Sequence, residues 1–295
     1  MKFGDFDTRL AATQLQSLFG IEHIFQRRGR SVRACEPSDR LLFQLDGDGF
    51  NAEVFEAMHS TSFRKVVSTT ANATEPLSAN QIHDQHIDLV PAKIQHNLET
   101  AVRLGMLTVT NNDEYQSSKQ TDFGASLEWY VAALFTHELS SVSYWGVEIE
   151  NLPNDYDVVV IRETQIGYIE CKSGRIRNIS DQDIKNFLER EQTLAPQFSV
   201  FVVDGVSLER LVPLANRVKT AIPNQLFESS NSIAPIEPSI ETFRRFLRII
   251  PHNIFIVESS DERLENAFKE IYEFLTVVRD RPMYFENSAA KARFR

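Results

Sequence analysis

Between Val142 and Val203 the chain packs four strand-length apolar runs and one helix-length segment into little more than sixty residues. This stretch constrains the fold more than any other. Val142 to Ile149 alternates in twos, and Asn151-Leu152-Pro153-Asn154 breaks it. Tyr156 to Arg162 is a second strand, Glu163-Thr164 a turn, and Gln165 to Lys172 a third strand. Ser180 to Thr193 has helical periodicity, with Ser180 as N-cap and Asp183 at the third helical position. Phe198 to Val203 is a fourth strand, closed by Asp204-Gly205. A helix over Phe123 to Phe135 precedes the set, its apolar face carrying Phe123, Leu127, Tyr130, Val131 and Leu134, with Glu128 at the edge of that face.

If Glu163-Thr164 is a two-residue hairpin loop, Arg162 pairs with Gln165 and Asp157 falls opposite Glu170. Directly opposed residues share a face, and Lys172 is a diagonal neighbour there. A loop longer by one residue would turn Asp157 to the other face, so everything that follows rests on this register. With it, two carboxylates and an ammonium meet where the flanking positions are Val, Ile and Tyr. Charges in such surroundings are costly unless paired or metal-bound. Two oxygen donors suit a hard cation such as Mg²⁺. The same residues would also fit an ion-pair network at a sheet edge.

Asp157 at the start of the second strand and Glu170-Cys171-Lys172 on the third resemble the signature of the PD-(D/E)xK nuclease superfamily. Glu128 on the preceding helix matches a further acid that many members carry, and the element order agrees over roughly Asp122 to Gly205. Asp155 and Tyr156 depart mildly from the pattern seen in members from prokaryotic defence. The resemblance implies an α/β fold with a mixed central sheet flanked by helices (restriction-endonuclease-like). It implies metal-dependent endonuclease activity on phosphodiester bonds, with phage defence or restriction as the setting. Asp157, Glu170 and the Cys171 backbone carbonyl would ligate Mg²⁺ or Mn²⁺, and Lys172 would position or activate water. Glu128 would reach a second metal or orient Lys172. The alternatives are a catalytically silent DNA-binding or assembly subunit that keeps the fold, and an RNA-directed nuclease.

Upstream, Leu77 to Ser118 resembles a winged helix-turn-helix: a helical pattern stopped at Gly105, then a hairpin of Met106 to Thr110 and Glu114 to Gln116. In that family a helix can enter a DNA groove. Lys93, Gln95, His96 and Asn97 are the candidates here, although a packing or dimerisation module fits equally. Arg175, Arg177 and Lys185 could meet phosphates, as could Arg190, while Asp181, Asp183, Glu189 and Glu191 dilute them. Arg27, Arg28, Arg30 and Arg33 form the densest basic cluster. The expected partition is 1–75, a small α/β region; 76–118, winged-helix-like; and 119–295, the nuclease domain.

Elsewhere, Leu41 to Leu45 and Arg64 to Ser68 read as strands, Asn51 to Met58 as a helix, Ser68 to Ser78 as a linker, and Glu241 to Ile250 as a helix. Asp46-Gly47-Asp48-Gly49 is a turn. It is no calcium loop, since the twelfth position counted from Asp46 is Ala57 rather than a Glu. The spacing of His83, His86 and His96 matches no zinc pattern.

Composition bounds the function. Thirty-one Lys and Arg against 41 Asp and Glu give a net charge of −10, which argues against non-specific coating of nucleic acid and leaves room for a local basic cleft. Two cysteines, Cys35 and Cys171, make no disulfide framework and suit a cytoplasmic setting. No run approaches the ~20 apolar residues of a membrane span, and the N-terminus reads as no signal peptide. The expected partners are DNA or RNA, a second copy of the chain or a defence complex, and no membrane.

Overall fold

The period-2 runs do form one sheet. The computed structural model describes residues 20–47, 49–152, 155–162, 165–174, 176–222, 238–250, 252–260 and 264–280. Its first elements are α1 (Ile21–Arg27), β1 (Val32–Ala34), α2 (Ala52–Met58) and α3 (Thr61–Ala71). Then come α4 (Ala79–Gln85), α5 (Pro91–Arg103), the hairpin β2 (Leu107–Val109) and β3 (Tyr115–Ser117), and α6 (Gly124–His137). The middle of the chain gives β4 (Val142–Ile149), β5 (Asp155–Arg162), β6 (Gln165–Lys172), α7 (Asp181–Leu194), β7 (Phe198–Val203) and α8 (Leu208–Ala221). It ends in β8 (Ser239–Thr242), β9 (Phe246–Ile250), β10 (Ile254–Val257) and α9 (Leu264–Asp280).

Eight strands make the main sheet in the order β1-β4-β5-β6-β7-β10-β9-β8. Neighbours are antiparallel except β6 with β7 and β7 with β10, so the fold is α/β with a large mixed sheet. β1 places part of the 1–75 region in the same sheet as residues 119–295. The faces follow strand alternation. Val158, Val160, Ile169, Cys171, Val200 and Val202 pack toward α6, α9 and the helices before them. Val159, Ile161, Tyr168, Phe201 and Val203 pack toward α7 and α8.

Arg162 pairs with Gln165 and Val158 with Ile169, the register a two-residue connection requires; residues 163 and 164 lie outside the described residues. One irregularity falls beside Asp157. Trp145 pairs with Val158 and Val147 with Tyr156, but Gly146 between them sits at φ +54°. Val147 and Tyr156 face α7, whereas Trp145 and Val158 face α6, so both strands switch faces across Gly146 and Asp157. A Cβ at Gly146 would lie 2.7 Å from Pro37 Cδ, so glycine meets both the backbone angle and the space.

Several local expectations are corrected. Leu41 to Phe43 is buried without being a strand, because side chains satisfy its backbone: Lys119 Nζ donates to Leu41 O at 2.6 Å, Ser118 Oγ to Leu42 O, and Leu42 N–H to Ser126 Oγ. Arg64 to Ser68 is helical within α3, capped by Ser60, and the expected linker begins inside that helix. Glu241 to Ile250 is not a helix: β8 and β9 pair antiparallel there. The helix at Ala52–Met58, with Asn51 accepting from Val54 N–H, and the capping box of Ser180 and Asp183 agree with the sequence.

α3, α4 and α5 pack together beside the β2–β3 hairpin, and Leu77 bridges Tyr115. Asn97 faces inward on α5 and donates to Ser62 Oγ at 3.2 Å, so it is not available to a ligand; Lys93, Gln95 and His96 are exposed. This helical group is tied to the sheet by a buried ion pair. Arg64, fully buried on α3, donates from Nε to Asp204 Oδ1 at 2.8 Å just after β7. Its other nitrogens reach Met58 O and Thr61 Oγ1, and it lies over the Tyr130 ring. Asp204 N–H in turn donates to Lys172 O at 2.9 Å.

Candidate active site

Asp157 near the start of β5 and Glu170 near the end of β6 lie on adjoining strands and are both buried, Glu170 to 1% exposure. Asp157 Oδ2 accepts the Cys171 N–H at 2.8 Å, which joins the two strands through a side chain. Lys172 Nζ is 2.8 Å from Glu170 Oε1 and 3.5 Å from Asp183 Oδ1 on α7. The structure therefore brings Asp157, Glu170 and Lys172 together. Glu128 on α6 joins them from the opposite layer, its Oε2 standing 4.0 Å from where a Gly146 Cβ would be.

Two further side chains belong to the cluster. Arg190 reaches in from α7, with Nη1 2.9 Å from Glu170 Oε2, 3.4 Å from the Tyr168 hydroxyl and 3.9 Å from Asp157 Oδ1. The Tyr168 hydroxyl donates to Glu170 Oε2. In the sequence Arg190 is easily taken for part of a solvated face. The available signal is its spacing, since it stands three residues after Phe187, beside the buried stripe of Ile184, Phe187 and Leu194. Tyr168 shares the Glu170 face by strand alternation.

The electrostatics show crowding. Burial first, then Glu170 and Glu128, push the Asp157 carboxyl well above the usual carboxylate range, against the pull of Lys172 and the Cys171 N–H. Burial, then Asp155 and Glu170, push Glu128 up to about 8. Burial works to lower the Lys172 pKa, but Glu170 and Asp157 outweigh it and hold the ammonium above its ordinary value. Arg190 is likewise held up by Tyr168 and Glu170 against the effect of burial. Burial, then Asp157, raises the Cys171 thiol, so it is a small buried residue rather than a thiolate nucleophile.

The donor set suits a hard divalent cation: two carboxylates, and Glu128 close enough to raise the proton affinity of Asp157. Such a cation would offset the burial and the mutual repulsion that hold Asp157 and Glu128 toward their protonated forms.

The other expected contacts lie elsewhere. Lys93 is on α5. Arg177 is exposed on a short 3-10 turn after β6. Lys185 is on the exposed side of α7, 3.7 Å from Glu189. Arg175 falls outside the described residues. Asp155 pairs with Arg40 at 3.1 Å, and Arg33 with Glu148. Arg28 and Arg30 donate to Leu194 O and Thr193 O, so half of the basic cluster caps the C-terminus of α7. A separate group, His59, Glu138 and Glu265, brings potential ligand atoms within 4.8 Å of one another. There His59 Nδ1 meets the Tyr130 hydroxyl at 3.1 Å, and Lys269 lies 3.5 Å from Glu265. None of the described helices is long and apolar enough to cross a membrane.

No protein-family model matches the sequence, and no curated protein matches it. Among solved structures, the chain resembles protein VC1899 from Vibrio cholerae with a TM-score of 0.42 and 15% identity. That match covers 67% of this chain and spans 55% of the length of VC1899.

Proposed function

We propose that the chain is a metal-dependent endonuclease of the PD-(D/E)xK type, hydrolysing phosphodiester bonds of DNA, with RNA as the alternative substrate. The reading is carried by the convergence of Asp157, Glu170 and Lys172 at adjoining strand ends under carboxylate crowding. Asp157, Glu170 and the Cys171 carbonyl would hold Mg²⁺ or Mn²⁺. When bound, such an ion polarises a phosphoryl oxygen and lowers the pKa of water. Lys172 remains protonated, so it orients the attacking water and stabilises charge on the phosphoryl oxygens rather than taking a proton. Burial and the neighbouring acids push the Glu128 carboxyl up to about 8, and once deprotonated beside a bound cation it would serve as a further oxygen ligand. The α3–α5 group with its hairpin is the candidate surface for engaging the nucleic acid, and a second copy of the chain is the expected route to cutting both strands. A cytoplasmic role in phage defence or restriction fits this chemistry.

The test is cleavage of DNA and RNA side by side with Mg²⁺ and Mn²⁺. Metal-dependent cutting that disappears in Lys172→Ala supports the reading, and no cutting with either metal, alone or with partner proteins, sinks it. One observation favours a second reading, a silent binding subunit: both oxygens of Glu170 already face cations, Lys172 and Arg190. Nucleic-acid binding unchanged in Asp157→Ala, with no Mn²⁺ bound, would select it.

A further inference from the structure

Arg190 faces both carboxylates that a metal at this site would use. Its Nη1 faces Glu170 Oε2 at 2.9 Å and Asp157 Oδ1 at 3.9 Å, so one guanidinium nitrogen spans the two carboxylates. Asp157 Oδ2 accepts the Cys171 N–H, while Oδ1 is the oxygen that faces Arg190. Lys172 is placed differently. It contacts Glu170 through Oε1 and has Asp183 at 3.5 Å as a second partner, so it can stay while the other oxygen changes hands.

Two buried carboxylates with no cation between them would be costly, and a guanidinium offsets that cost. A guanidinium and a divalent ion at the same carboxylates repel each other in a low-dielectric site, so the two occupancies exclude one another. Arg190 comes from a helix rather than from the sheet, on a long side chain still 14% exposed, and rotation about its own bonds can carry the charge out of the cluster. A released guanidinium at the mouth of the site is well shaped to take a phosphate through two parallel hydrogen bonds.

We propose that Arg190 is a placeholder cation: it occupies the position between Asp157 and Glu170 before metal arrives, leaves when metal binds, and then serves as a phosphate-binding residue for the substrate. The inference rests on the metal-dependent reading above and adds to it an exchange of one cation for another.

The test is Mn²⁺ binding, followed by the electron paramagnetic resonance of the free ion, for the wild type, Arg190→Lys and Arg190→Gln. Arg190→Gln should bind Mn²⁺ about tenfold tighter than wild type or better, with Arg190→Lys close to wild type. At saturating metal, kcat/KM for nucleic acid should nevertheless fall in Arg190→Gln, because the phosphate contact is lost. Binding by Arg190→Gln that is equal to or weaker than wild type overturns the placeholder role. If wild type and variants all bind no Mn²⁺, the metal-enzyme reading fails and takes this inference with it. If wild type binds and cuts while Arg190→Gln binds no tighter, only the placeholder fails. Should Arg190→Gln not fold, the wild type alone decides through the ¹³Cζ resonance of Arg190 in arginine-labelled protein. A shift as Mg²⁺ is added supports the exchange, and an unmoved signal at saturating Mg²⁺ refutes it.

Discussion

Two buried ionic groups are joined through Lys172, whose carbonyl meets one and whose ammonium belongs to the other, and they are built on opposite principles. Arg64 and Asp204 are matched one to one: the carboxylate takes Arg64 Nε, and the remaining guanidinium nitrogens find a carbonyl and a hydroxyl. At Asp157, Glu170 and Glu128, by contrast, the acids raise one another's proton affinity although Lys172 and Arg190 are present. A self-satisfied pair holds elements together. A crowded set keeps a standing demand for positive charge, and this is what marks it as a candidate for chemistry.

The contrast can be broken in several ways. Lys172→Ala should cost the larger effect, a fall in cleavage of about 10³-fold or more with the fold intact, read by rates at saturating metal beside circular dichroism. Arg64→Ala should do the reverse. It strands Asp204 and lowers global stability by about 3–5 kcal/mol, measured by denaturant unfolding.

The next effect is pH-dependent. The Glu128 carboxyl is about 8 in the folded chain, above its ordinary value near 4.5. Its contribution is therefore fully present below pH ~4.5 and is lost as pH rises toward about 8, because the unfolded chain gives up the proton first. Asp157 is shifted in the same sense and adds to that slope. Glu128→Gln should flatten the fall in Tm between about pH 5 and 8. An unchanged slope would mean that Glu128 ionises normally. The smallest effect on stability is that of Asp157→Asn, which removes one of the crowded acids while its side-chain oxygen can still accept the Cys171 N–H. Stability at neutral pH should hold or rise by about 1 kcal/mol while cleavage is lost. Asp204→Asn should instead be destabilising.

Legibility in the sequence followed the range of the interactions. β4, β5 and β6 could be read because alternation and turn residues are local signals, and the register of β5 against β6 needed only the count of residues between Arg162 and Gln165. That register puts Glu170 and Lys172 on one face with Asp157 at the facing strand end, but the change of face at Asp157 was not legible in it. Leu41 to Phe43 misled because its strand-like apolar run is satisfied by Lys119, Ser118 and Ser126, far along the chain. At Glu241 to Ile250 the apolar residues Phe243, Phe246, Leu247 and Ile249 fit either period, and pairing with β10 decides for strand. Arg190 was legible only as one of several cations able to meet phosphates, and its place among the carboxylates was hidden for a similar reason. Its partners, twenty and more residues earlier on β5 and β6, become neighbours only when α7 folds back over the sheet.

The bond from Asp204 N–H to Lys172 O has a wider meaning, because the same aspartate holds Arg64 of the helical group. Opening that backbone bond requires the β6–β7 ladder to part, and parting it disturbs the grip on α3. In hydrogen exchange the Asp204 amide should therefore be released only with the whole molecule. The helical group around α3 and the strand end that carries Lys172 would then leave the native state as one cooperative unit.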